Sequence, residues 1–166
     1  MHTHLITGYF LTAFLGILSH FFYEWSGHNP IVALFSPVSE SVWEHIKLLF
    51  FPVLFYSLCL SLSPVRKYSG LYNSLLSGNL LGSFSIPVLF YTYSGILGTN
   101  FLPFDIAVFL TGLFITFYAA QKYQNSKKLY RHRYWIYLFT FLFTILFFIF
   151  TFFQPDIGLF QSPQLP

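Results

Sequence analysis

The sequence predicts an all-α, polytopic integral membrane protein, a bundle of five transmembrane helices. Three observations predict it. Of 166 residues, 55% are hydrophobic and only 8% are charged, with a mean hydropathy of +0.63, whereas soluble domains carry about 25% charged residues. Five apolar stretches approach the roughly 20 residues that a helix needs to cross the hydrocarbon core. Lys and Arg gather in two of the four connections between those stretches. A pI near 9.0 is then a matter of topology rather than of nucleic-acid binding.

The first stretch, residues 5–24, follows Met1-His2-Thr3-His4. No basic n-region precedes it and no small-x-small cleavage site follows, so it reads as a retained helix. His2 and His4 read as terminus rather than metal site. Gly8, Thr12 and Gly16 recur every fourth residue, a spacing that lets helix backbones approach closely in lipid. Gly27-His28-Asn29-Pro30 supplies a turn. Ile31-Val32-Ala33-Leu34-Phe35 is too short to span and reads as an interfacial or re-entrant piece.

The second stretch, 41–61, contains Pro52, which should kink it. It also holds Cys59, the single cysteine, which excludes an intramolecular disulfide and reads as a small buried apolar residue. The third, 71–94, repeats the small-residue spacing at Ser74, Gly78 and Gly82 and carries Pro87 and Asn79. Asn79 is expected to hydrogen-bond a neighbouring helix. The fourth, 103–123, follows a turn from Gly95 to Asn100 and opens at Pro103; the fifth, 133–154, is rich in phenylalanine. No repeat or linker divides the chain, so residues 1–166 are expected to form a single transmembrane domain.

Orientation follows from the basic residues. Arg66 and Lys67 lie between the second and third stretches, and Lys122, Lys127, Lys128, Arg131 and Arg133 between the fourth and fifth. The positive-inside rule places the N-terminus in the cytoplasm and the C-terminus outside. Tyr23, Trp25 and Trp43 then form an outer aromatic belt, and Tyr123, Tyr130, Tyr134 and Trp135 an inner one. All five acids, Glu24, Glu40, Glu44, Asp105 and Asp156, fall on the outer side with His20, His28, His45 and Lys47. Acids contribute little to topology, so their clustering needs a separate reason.

That reason centres on Ser36-Pro37-Val38-Ser39-Glu40-Ser41-Val42-Trp43-Glu44-His45-Ile46-Lys47. Read as helix at 100° per residue, it puts Lys47, Glu40, Glu44, Ser41 and His45 on one face. His20 and Glu24, four apart, share a face at the end of the first helix. Antiparallel packing of these two helices would assemble imidazoles, carboxylates, an ammonium and a hydroxyl at one depth. Ser41 and Glu44 also fit a capping box, which accounts for part of the acidity. Intramembrane charge is costly and marks functional sites. Glu44 and His45 are the candidate catalytic pair, with His20, Glu24, Glu40, Ser41 and Lys47 as ligand-binding residues. His20, Glu24 and His45 could hold a divalent metal such as zinc.

Two resemblances bear on these residues. Ser41-x3-His45 at the start of a membrane helix is faintly similar to the Ser-x3-His of membrane hydrolases related to alkaline ceramidases. Those enzymes also use an Asp and a later His-x3-His that this chain lacks. His20-Phe-Phe-Tyr-Glu24-Trp25, the block from Ser36 to Lys47, the five-span layout and Gln154-Pro-Asp-Ile-Gly-Leu-Phe160 resemble an uncharacterised family of small bacterial five-span membrane proteins, a domain of unknown function. That resemblance implies a fold and a bacterial plasma membrane, and no activity.

Three functions fit: a membrane-embedded enzyme, such as a metal-dependent hydrolase, acting on a lipid or small amphiphile; an ion or small-molecule binding or transport component; and an accessory protein whose polar network is structural. The expected partners are the lipid bilayer and no nucleic acid. A homo-oligomer or a partner membrane protein could pack on the small-residue faces of Gly8/Gly16 and Gly78/Gly82.

Overall fold

A computed structural model of the protein describes residues 2–62 and 69–163. The Ser63-Pro64 turn with Arg66 and Lys67 lies outside the described residues. Every regular element within them is helical: α1 (His2–Trp25), α2 (Pro30–Ala33), α3 (Val42–Leu62), α4 (Ser69–Leu97), α5 (Leu102–Tyr123), α6 (Lys127–Arg131) and α7 (Arg133–Phe152), followed by a 3-10 turn at Gly158–Phe160. Five of them, α1, α3, α4, α5 and α7, are long and apolar enough to cross a membrane.

Local chemistry sets the boundaries. α1 stops where Gly27 adopts φ 68° and the N–H of His28 reaches back to the Tyr23 carbonyl at 3.0 Å. That six-to-one bond with a left-handed glycine is the usual way a helix is terminated. Asn29 then starts α2, its Oδ1 accepting from the N–H of Ile31 at 2.8 Å with Pro30 in the first position. The short apolar piece expected at the interface is this helical turn. Ser126 caps α6 in the same manner, accepting from Leu129 N–H.

Packing registers are set by small residues. In lipid, helices are held by close van der Waals contact and interhelical hydrogen bonds rather than by water exclusion. α4 lies antiparallel on α5, with Gly82 against Gly112 and Thr116, Gly78 against the Thr116 backbone, and Gly70 against Gln124. α1 lies antiparallel on both α3 and α5: Gly8 meets Tyr56 and Phe117, and Gly16 meets Leu48 and Phe109. The faces of Gly8/Gly16 and Gly78/Gly82 are thus covered within the chain. Leu48 is also the residue whose carbonyl loses its helical donor to Pro52, and the bare face of Gly16 packs on that oxygen.

α7 joins mainly through aromatic rings. Phe143 and Phe147 pack on Phe50, and Phe147 on Phe51, with ring centres 4.9 to 5.5 Å apart across this group. Trp43, expected in the outer belt, is only 6% exposed and sits among Phe143, Phe147, Phe150 and Phe160. The tail after α7 folds back over the start of α3 and covers it. Cys59, expected to be buried, is exposed, on the face of α3 that also exposes Phe55, Leu58 and Leu62. Asn79 does reach a neighbour, its Nδ2 donating to the Phe50 carbonyl at 3.0 Å, while its Oδ1 is buried without a partner among the described residues.

The alternating helix directions give the bundle two chemically opposite ends. Glu24, Glu40, Glu44, Asp105 and Asp156 all lie at the end where α1 finishes and α3 begins. Lys122, Lys127, Lys128, Arg131 and Arg133 lie at the other.

Candidate functional site

The registers of α1 on α3 and α5 decide which side chains meet at the acidic end. One turn beyond the contact of Gly16 with Leu48, His20 faces His45, with ring centres 5.3 Å apart. One turn beyond the contact of Gly16 with Phe109, the same register sets His20 level with Asp105.

The start of α3 decides the carboxylates. Ser41 is its cap, Oγ accepting from the N–H of Glu44 at 3.3 Å. The reciprocal half of the capping box does not form, because the Glu44 carboxylate turns to Val38 N–H and to Lys47. Ser39 Oγ takes its place, accepting from Ser41 N–H at 3.5 Å. Glu40 therefore precedes the helix and is not on the expected helical face with Glu44 and Lys47. Freed from that face, it spans the two histidines. Its Oε1 lies 3.7 Å from His20 Nε2 and its Oε2 lies 3.4 Å from His45 Nε2.

One donor atom from each of His20, Glu40 and His45 falls within 4.8 Å of the others. His45 Nδ1 is 2.9 Å from the Ser41 carbonyl. A carbonyl oxygen only accepts, so Nδ1 carries a hydrogen toward Ser41, and Nε2 is the ring nitrogen that faces Glu40. A backbone partner of this kind fixes the tautomer and aim of metal-binding histidines. The Glu40 side chain is 67% exposed, so the cluster opens toward solvent. The imidazoles of His20 and His45, in that order, hold the Glu40 carboxyl well below the usual carboxylate range, against a smaller opposing effect of burial.

A second charged group lies three residues along α3. Glu44 and Lys47 are each 0% exposed, joined by a 2.7 Å ion pair. Lys47 Nζ also donates to the Ala33 carbonyl at 2.9 Å and to Thr151 Oγ1 at 2.7 Å, with the Ser36 carbonyl at 3.5 Å. Thr151 in turn donates to the Phe147 carbonyl. This ammonium ties together α2, the linker, α3 and α7. Glu44 Oε2 accepts from both Lys47 and Val38, and Oε1 is buried with no partner among the described residues.

The expected site residues thus separate. His20, Glu40 and His45 come together. Glu24, expected as a metal ligand with His20 and His45, is exposed near the end of α1 and outside this group, and Glu40 is the carboxylate that lies between the two histidines. Glu44, expected beside His45 as a catalytic residue, is sealed against Lys47. Ser41 spends its hydroxyl on the cap and its carbonyl on His45. Sequence reasoning also passed over Tyr93 and Asp105. The Tyr93 hydroxyl donates to Asp105 Oδ1, and Asn100 Nδ2 donates to Oδ2 at 3.3 Å. The available signal was that Asp105 is one of only five acids and sits in the first turn of α5.

Fold and site together define a class: an all-helical protein with five helices long and apolar enough to cross a bilayer and a His–carboxylate–His cluster at one end. The chain belongs to a family of unknown function (DUF6512), whose match covers residues 2–164. No curated protein and no solved structure matches it.

Proposed function

We propose that the protein is a membrane-embedded, metal-dependent enzyme. In this reading His20, Glu40 and His45 hold a divalent transition metal such as zinc, and a fourth position is left for water. One observation supports it above the others, the separations of 3.7 and 3.4 Å between the imidazole nitrogens and the two oxygens of one carboxylate. A hydrogen bond would draw such atoms to about 2.8 Å. Ligands held about 2.1 Å from one tetrahedral ion lie about 3.4 Å apart. Drawn in from a span of up to 4.8 Å, one donor atom from each of His20, Glu40 and His45 could reach a shared cation.

A metal with an open position lowers the pKa of its bound water to about 7 and polarises a carbonyl or phosphoryl oxygen. Hydrolysis of a lipid or small amphiphile suits a site at the end of a bundle, where headgroups lie. Asp105, held by Tyr93 and Asn100, is a further carboxylate at the same end of the bundle. The excess of Lys and Arg at the opposite end supports an N-terminus in the cytoplasm of a cell with the site facing outward across its plasma membrane. Translocation of an ion or small molecule is the less supported reading. Directly inward of the cluster, an added Cβ at Gly16 would lie 2.5 Å from the Leu48 carbonyl and 2.6 Å from the Phe109 ring.

Metal analysis of purified protein tests the proposal. Wild type should carry about one equivalent of zinc or a similar ion, and His20→Ala/His45→Ala should lose it. Wild-type protein that neither retains nor takes up stoichiometric metal, or a double variant that keeps it, would overturn the reading.

A further inference from the structure

The opposite end of the bundle carries a second organised group of charges. Lys122, Lys127, Lys128, Arg131 and Arg133 fall within twelve positions, and no acid occurs between residues 106 and 155. Among them Arg133, the first residue of α7, is held in one plane. Its guanidinium lies 4.3 Å from the ring centre of Tyr130 and 4.5 Å from that of Tyr134. Nη1 donates to the Tyr130 carbonyl at 3.2 Å and Nη2 to the Tyr134 hydroxyl at 3.0 Å. A guanidinium has five N–H groups, so these two bonds fix its orientation and leave others to donate. The lysines of α6, with Arg131 and His132, are exposed around it.

The surrounding aromatics place this group at a bilayer boundary. Tyr130, Tyr134 and Trp135 are exposed beside it, and Lys122 stands 5.6 Å over the ring of Tyr123. Exposed tyrosine and tryptophan settle at headgroup depth. Topology alone asks only for positive charge there, which loose lysines supply. It does not ask for a guanidinium clamped between two rings. Planar, oriented N–H donors are what a phosphate diester recognises.

We propose that this end binds the phosphate of an anionic phospholipid. Arg133 is the orienting contact, and Lys127, Lys128 and Arg131 supply the surrounding positive charge. Each basic residue near an anionic bilayer surface strengthens binding by about 1 kcal/mol, or about fivefold. The occupant is a lipid rather than soluble phosphate because the group sits beside apolar helix ends where acyl chains lie.

Native mass spectrometry of the full-length protein, titrated with phosphatidylglycerol or phosphatidylcholine of matched chains, tests this. Phosphatidylglycerol should bind several-fold better, and Arg133→Ala and Arg133→Lys should each lose most of that preference. Lys127→Gln/Lys128→Gln, which touches only exposed positions, should also remove much of that preference and serves if the Arg133 variants fail to fold. Inorganic phosphate at tens of millimolar should not displace the lipid. Equal binding of the two lipids, a preference unchanged in the variants, or displacement by phosphate would each overturn the proposal.

Discussion

Glu40 and Glu44 are four residues apart, and the structure uses them in opposite ways. Glu44 is shut away from solvent with a lysine against it, and that lysine finds oxygens from three further segments. Glu40 is mostly exposed, and its two oxygens face imidazole nitrogens at separations wider than a hydrogen bond. The first arrangement is bound tightly by its own partners and has little left for a ligand. The second stands at the surface with one carboxylate between two imidazoles. The difference arises at one point, the cap at Ser41, which puts Glu44 inside the helix and Glu40 outside it.

Breaking the buried pair should have the largest effect. Glu44→Gln or Lys47→Met leaves one charge without its partner in a low-dielectric interior, a loss of about 3–5 kcal/mol. Thermal unfolding in detergent should show it, and the double replacement Glu44→Leu/Lys47→Met should recover much of the loss. Equal damage from the double and single changes would mean that packing, not charge, holds this region.

The exposed cluster should respond in the opposite sense. Glu40→Gln or His45→Ala should weaken zinc binding by about a hundredfold or more while the unfolding midpoint of metal-free protein moves little. A large drop in that midpoint would place Glu40 with Glu44 as a structural residue. Ser41→Ala separates the two functions of one position. It removes the hydroxyl cap, at about 1 kcal/mol, but keeps the carbonyl that aims His45, so metal affinity should persist in a titration.

Acid should distinguish the carboxylates further. The Glu40 carboxyl titrates below its ordinary value of 4.5. What its charge contributes to the metal-free protein is therefore present above that value and lost as pH falls toward the lowered one. The small difference in unfolding midpoint between metal-free wild type and Glu40→Gln should persist down to about pH 5 and vanish below it. The smallest effect belongs to Glu24→Gln, which should change neither metal content nor stability. Loss of metal on that change would return Glu24 to the ligand set.

Much of this arrangement was legible from the chain. Long apolar runs and their turn residues located the five long helices, because length and hydropathy are properties of the segment itself. His20 and His45 could be placed at one level from a short linker and antiparallel packing. The helical wheel misassigned Glu40 because periodicity does not show where a helix starts; Ser39, Ser41 and Val38 settle that through local hydrogen bonds. Thr151 and Asp105 were out of reach for a different reason. Their roles depend on which helices touch and in what register, which Gly16, Gly78 and Gly82 determine by letting particular backbones approach. Their spacing was visible, but their neighbours were not.

Lys47 also imposes an order on the making of the protein. Three of its oxygen partners, from Ala33, Ser36 and Glu44, precede it in the chain, and the fourth, Thr151, is about a hundred residues downstream. Until α7 is made, the ammonium lacks that hydroxyl and the aromatic wall of Phe147 around it. A chain truncated before residue 151 is therefore left with an incompletely covered cation at the end of a membrane helix, a chemical difference by which unfinished protein can be told from finished.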